Sequence, residues 1–101
     1  MKITLRQLEV FAAVARAENV TRAAESLAMS QSAASSALLE LERQFDWPLF
    51  DRIGKSLHLN STGRGLLAQA DDLLGRAADI EGYLAGGILG PLAVGATLTI
   101  G

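Results

Sequence analysis

A chain of 101 residues is about one domain with a modest core, and half of its side chains are apolar while only five are aromatic. Alanine and leucine dominate, which favours closely packed helices over a sandwich or barrel. The lack of cysteine and the single histidine, His58, exclude a disulfide framework, a thiolate metal site and a multi-histidine metal site, and a net charge of −2 is not that of a generic phosphate-coating protein.

Thr4 is placed to cap a first helix over roughly residues 5–18, with Leu5, Leu8, Phe11, Ala12 and Ala15 on one face. Glu18-Asn19 ends it. Thr21 stands where an N-cap belongs for a second helix over roughly 22–28, and Ser30 repeats the device for a third over roughly 31–45. Between them Ala24 is small where two helices must cross, and Met29 plugs the turn. Val20 and Leu27 complete the inner face of the second helix, and Ala34, Ala37, Leu38 and Leu41 bury one side of the third. Gln31, Ser32, Ser35 and Ser36 are left facing out. A short helix, a tight turn and a second helix with a small polar outer face is the layout of a helix-turn-helix, which places its second helix in the DNA major groove.

Asp46-Trp47-Pro48 breaks the third helix, because proline disfavours helical geometry in the residue before it. Residues 49–60 then read as a hairpin: Leu57 and Leu59 alternate with polar neighbours, and Gly54-Lys55-Ser56 supplies the turn. A hairpin directly after a reading helix is a wing, whose tip meets the sugar-phosphate backbone or the minor groove.

Ser61-Thr62-Gly63 opens a long fourth helix running to about 85. Within it Leu66, Ala70, Leu73, Ala77, Ile80 and Leu84 fall at alternating spacings of four and three, the seam of a coiled coil, so a partner helix from a second copy is expected. Gly86-Gly87 and Gly90-Pro91 punctuate its end. Leu92–Gly101 is short, apolar and β-branched, like a buried strand of another domain, so the chain is expected to be the N-terminal piece of a longer protein. The uncharged run over residues 84–101 barely reaches a membrane span, and its glycines and Pro91 spoil the helix, so no membrane partner is expected. The expected organisation is a winged domain over 1–60, a linker helix over 61–87, and a hinge with a first strand over 88–101. Met1–Glu9 is amphipathic and unlike a signal sequence, which makes the cytoplasm the default location.

The arrangement resembles the N-terminal DNA-binding region of LysR-type transcriptional regulators over about residues 3–85. Leu5-Arg6-Gln7-Leu8-Glu9-Val10-Phe11 looks like the family's opening helix, and Thr21-Arg22-Ala23-Ala24-Glu25-Ser26-Leu27 like the helix before the turn. Ser30-Gln31-Ser32-Ala33-Ala34-Ser35 is similar to the start of the reading helix, with Leu41-Glu42 and Pro48-Leu49-Phe50-Asp51-Arg52 matching the helix end and the entry to the wing. Leu59-Asn60-Ser61-Thr62-Gly63 sits where the family has its leucine-threonine-x-x-glycine junction.

The resemblance implies a mainly α fold, a winged helix-turn-helix of three helices and a two-stranded wing followed by a dimerisation helix. It implies that Gln31, Ser32, Ser35 and Ser36 face base edges or nearby phosphates. Thr21 and Arg22 would touch the backbone, and Arg52 and Lys55 would do so from the wing. Linker helices of the family pair between subunits, complete members are commonly tetramers, and a C-terminal domain senses a small-molecule effector. The implied function is sequence-specific regulation of transcription at a pseudo-palindromic site in double-stranded DNA. Two positions depart from the common pattern: Ser32 stands where many members have proline, and near Ser36 many have arginine or another long polar residue, arginine being the bidentate reader of guanine. Preference would then lean on Gln31, which suits adenine, on serine contacts and on DNA shape.

The near-neutral charge also permits a second reading, a protein-docking and dimerisation module. An enzyme is not expected, since there is no nucleophile–base–acid set and no metal cluster. Thr62-Gly63-Arg64-Gly65 lacks the spacing and the lysine-serine/threonine ending of a phosphate loop, so no cofactor is expected either.

Overall fold

A computed structural model describes residues 1–86. Four helices and one hairpin follow in the order α1 (Leu5–Ala17), α2 (Val20–Ser26), α3 (Gln31–Phe45), β1 (Phe50–Ile53), β2 (Ser56–Leu59) and α4 (Ser61–Leu84). The mainly α winged architecture read from the sequence is the one observed. The expectations for residues 87–101, including the hinge and the strand, lie outside the described residues.

Each helix start has a polar residue that takes up an N–H left free by helix geometry. Thr4 and Gln7 form a reciprocal capping box on α1: Gln7 N–H donates to Thr4 Oγ1 and Thr4 N–H donates to Gln7 Oε1, both at 3.1 Å. Ser30 Oγ accepts from Ala33 N–H at 3.1 Å. At α2 the sequence reading is corrected: the cap is Asn19, whose Oδ1 accepts from Arg22 N–H at 2.9 Å, and Thr21 lies inside the first turn. Glu18, with φ at 55°, turns the chain so sharply after α1 that Asn19 already stands at the next helix start. α4 opens at Ser61 as expected, and its cap is Asn60.

The turn between α2 and α3 closes with Met29 N–H bonded to Ala24 O at 2.9 Å and Ala28 N–H to Glu25 O at 3.2 Å, which puts Ala28 in the left-handed region at φ 56°. β1 and β2 pair antiparallel, Phe50 opposite Leu59 and Ile53 opposite Ser56, around the loop Gly54-Lys55. Gly54, at φ 63°, has the conformation that a two-residue hairpin loop starting with glycine requires.

The core runs through Leu8, Val10, Phe11 and Val14 of α1, Ala23 and Ala24 of α2, and Ala34, Leu38 and Leu41 of α3. Leu49, Leu57 and Ala70 close it from the wing side and from α4. The rings of Phe11 and Phe50 meet at 5.6 Å with a 55° tilt, seating the wing on α1. Val20, Leu27, Met29 and Ala37 are half-buried against this cluster. Leu5, expected on the core face with Leu8, Phe11 and Ala12, is 47% exposed; the buried residues of α1 begin at Gln7 and include Leu8, Val10, Phe11, Ala12 and Val14.

The expected seam of α4 divides in two. Ala70 is 1% exposed and belongs to the core of its own domain, with Leu66, Leu67 and Leu74 packed beside it. Ala70 therefore does not face outward for a partner. Leu73, Ile80 and Leu84 do face outward, together with Tyr83. No helix among the described residues is long and apolar enough to cross a membrane.

Candidate nucleic-acid interface

The sequence places its candidate readers on α3, and the fold leaves them accessible. Gln31, Ser32 and Ser36 are exposed, and Ser35 is half-buried at the edge of the helix footprint. Gln31 Nε2 donates to Ser35 Oγ at 3.0 Å, so two of the four are joined side chain to side chain. Opposite them Ala34, Leu38 and Leu41 anchor the helix in the core, so its orientation is set by packing rather than by its polar face. Ser30 takes the Ala33 N–H and the Ser30 carbonyl takes the Ala34 N–H. The N–H groups of Gln31 and Ser32 precede these and point off the helix start, where an anion is favoured.

Thr21 and Arg22 are exposed in the first turn of α2. A basic side chain there works against the helix dipole, so Arg22 contributes little to the stability of its own helix. Arg52 on β1 and Lys55 in the hairpin loop are exposed as well. Among the described residues, the ion pairs join Arg6 to Glu9 and Arg16 to Asp71, and the Glu18 carboxylate contacts His58 Nδ1. Arg22, Arg52 and Lys55 enter none of them. Arg52 thus does not pair with the nearby Asp51, Asp46 or Glu42, and Glu42 instead accepts from Leu49 N–H at 2.8 Å through Oε2. The cations of the expected interface are free of carboxylates, although residues 1–60 carry seven basic and seven acidic side chains.

Three positioning residues were missed in the sequence. Glu18 holds the wing to α1, its carbonyl accepting from Leu57 N–H at 3.1 Å. Glu42 ties the end of α3 to the first residue before the wing. Asn60 joins the base of the wing to α4: its N–H reaches Leu49 O at 3.0 Å, its Nδ2 reaches Pro48 O at 2.8 Å, and its Oδ1 caps Gly63 N–H at 2.8 Å. Gly63 is needed at that junction, because a Cβ would press into the Leu49 carbonyl oxygen and lie 2.8 Å from Leu59 Cδ2. An asparagine directly before a helical stretch was the available signal for Asn19 and Asn60 alike. No group of metal-ligating side chains is assembled among the described residues.

The arrangement has close counterparts. The HTH-type transcriptional regulator YeiE of Escherichia coli K12, itself described as uncharacterized, is 53% identical over 81 residues, covering 80% of this chain and 28% of that protein. A hydrogen-peroxide-bound OxyR mutant of Corynebacterium glutamicum superposes with a TM-score of 0.81 at 29% identity, covering 85% of this chain and 27% of that one. Full-length CbnR, complexed with its target DNA, gives a TM-score of 0.75 at 28% identity, over 83% of this chain and 29% of CbnR. The chain spans less than a third of the length of each of these three proteins. Residues 5–64 match the family of bacterial regulatory helix-turn-helix proteins of the lysR type. The chain belongs to that family and carries its N-terminal DNA-binding domain.

Proposed function

We propose that this domain reads a pseudo-palindromic operator as a dimer, with α3 of each copy in the major groove. Gln31, Ser32, Ser35 and Ser36 lie along the base edges or the adjacent phosphates. Thr21 and Arg22 contact the backbone at one side of the groove, and Arg52 and Lys55 contact the backbone or the minor groove from the wing. The observation that carries this reading is the charge arrangement: the first turns of α3 expose Gln31, Ser32 and Ser36 without a charge, while Arg22 on α2 and Arg52 and Lys55 on the wing are exposed and enter none of the ion pairs among the described residues. Base-edge selection is then separated from phosphate attraction.

Leu73, Ala77, Ile80 and Leu84 form the outward half of the α4 seam and supply the contact between copies. In the longer protein a C-terminal domain would bind a small-molecule effector, and pairs of dimers would form a tetramer that acts in the cytoplasm.

Binding of the chain to a duplex selected from a randomised library, followed by fluorescence anisotropy over a salt series, tests the reading. Affinity should fall steeply with salt, by about 0.9 in log–log slope for each phosphate neutralised, and exceed that for a scrambled duplex. Equal, weak binding to both duplexes would leave the docking-module reading in its place.

A further inference from the structure

Of two consecutive leucines in α3, Leu38 is buried and Leu39 is 46% exposed. The burial of Ala34, Leu38 and Leu41 fixes which side of the helix points inward. The opposite side carries Ser32, Ser36, Leu39 and Arg43, spaced four, three and four, and all of them are exposed. Leu39 is the one large apolar side chain of that stripe. Glu40, the next residue, is turned about 100° away from it around the helix axis.

Reading helices that lie in the major groove turn positions i, i+3, i+4 and i+7 toward base edges. Counted from Ser32, these are Ser35, Ser36 and Leu39. Leu39 stands about 10 Å along the axis from Ser32, inside a groove about 12 Å wide, and Arg43 lies about 6 Å beyond it. Arg43 enters no ion pair among the described residues, which leaves its guanidinium for phosphates at the rim of the groove. An isobutyl group neither gives nor takes a hydrogen bond. Its complement among base edges is the C5-methyl of thymine, the apolar group they present in the major groove. A protein partner fits less well: a stable contact needs roughly 1,000 Å², and Leu39 stands in its stripe among hydroxyls and a guanidinium.

We propose that Leu39 is a further specificity-determining residue: it packs on the methyl of one thymine in each half-site and so favours thymine over cytosine at that position. The inference rests on the placement of α3 in the major groove proposed above.

The test uses the whole chain and a site selected from a randomised duplex library. Each thymine of one half-site is changed in turn to deoxyuridine, which removes the methyl and keeps every hydrogen-bonding group. Wild type should lose about fourfold in affinity at one position, the worth of one methyl withdrawn from water. Leu39→Ala should bind the thymine and deoxyuridine duplexes alike. With cytosine at that position, 5-methylcytosine should recover part of the affinity for wild type and none for Leu39→Ala. No thymine whose methyl matters, the same sensitivity in Leu39→Ala, or no recovery of wild type by 5-methylcytosine each overturn the role of Leu39. Equal binding of wild type to the selected and a scrambled duplex is a different failure: it removes the groove placement, and the role of Leu39 with it. Circular dichroism of Leu39→Ala confirms that the helices are retained.

Discussion

Glu18 links α1 to the wing twice, through its carbonyl oxygen to Leu57 N–H at 3.1 Å and through its carboxylate to His58 Nδ1 at 3.0 Å. The two side chains are 52% and 40% exposed, so their contact is weakened by solvent, whereas the main-chain bond depends on neither side chain. His58→Ala should therefore cost less than about 1 kcal/mol in urea denaturation. A loss of several kcal/mol would mean that the side-chain pair, and not the backbone bond, seats the wing.

Gly63 and Gly75 occupy the same helix and should respond oppositely to alanine. At Gly63 the added methyl meets the Leu49 carbonyl and Leu59, and should destabilise the domain by about 3 kcal/mol. At Gly75 nothing lies within 4 Å, and Gly75→Ala should stabilise it by about 0.5–1 kcal/mol through helix propensity. Thermal melting of the two variants side by side is the measurement.

Ala28 holds φ at 56° in the α2–α3 turn, a region disfavoured for any residue with a Cβ. Ala28→Gly should relieve that strain, offset in part by the greater freedom of glycine in the unfolded chain. A gain of up to about 1 kcal/mol is expected. A lower denaturation midpoint would show that the Ala28 methyl makes a contact outweighing the strain.

The two halves of the α4 seam should separate under charge substitution. Leu73→Lys together with Ile80→Lys should leave the fold intact and shift sedimentation toward monomer, since both side chains are exposed in one copy. Ala70→Lys should instead unfold the domain, since that position is 1% exposed inside it. A dimer that survives the first pair of changes would place the contact between copies elsewhere.

On the wing, Arg52→Ala and Lys55→Ala should each lower the log–log salt slope of DNA binding by about 1 without altering the preferred site. An altered sequence preference in the selected pool would instead give that residue a base contact.

Much of this was readable before the fold was known, for identifiable reasons. Ser30, Pro48 and the Leu57–Leu59 alternation act locally, through caps, φ restriction and strand period, so they marked α3, its end and the wing without reference to the rest of the chain. Thr21 misled because threonine and asparagine cap helices by the same chemistry. Which of them does so was decided by the left-handed turn at Glu18, a feature no residue type announces. Ala70 misled for another reason: a seam repeat specifies that a stripe will be covered but not by what, and α1, lying alongside, covers its first half. The cation arrangement was legible only as composition. That Glu42 accepts from the Leu49 N–H, a contact across seven positions, and that Arg52 enters no ion pair among the described residues are facts of the folded chain that no local pattern carries.

Asn60 bonds three ways within a few ångströms, to the residue before β1, to the proline ahead of it and to the first turn of α4. No free hinge is left where the hairpin gives way to the long helix. A torque applied along α4 would consequently tilt hairpin and reading helix as a single solid piece. Any signal arriving from that side could change the angle or separation at which two such pieces grip a duplex, but not the shape of the grip itself.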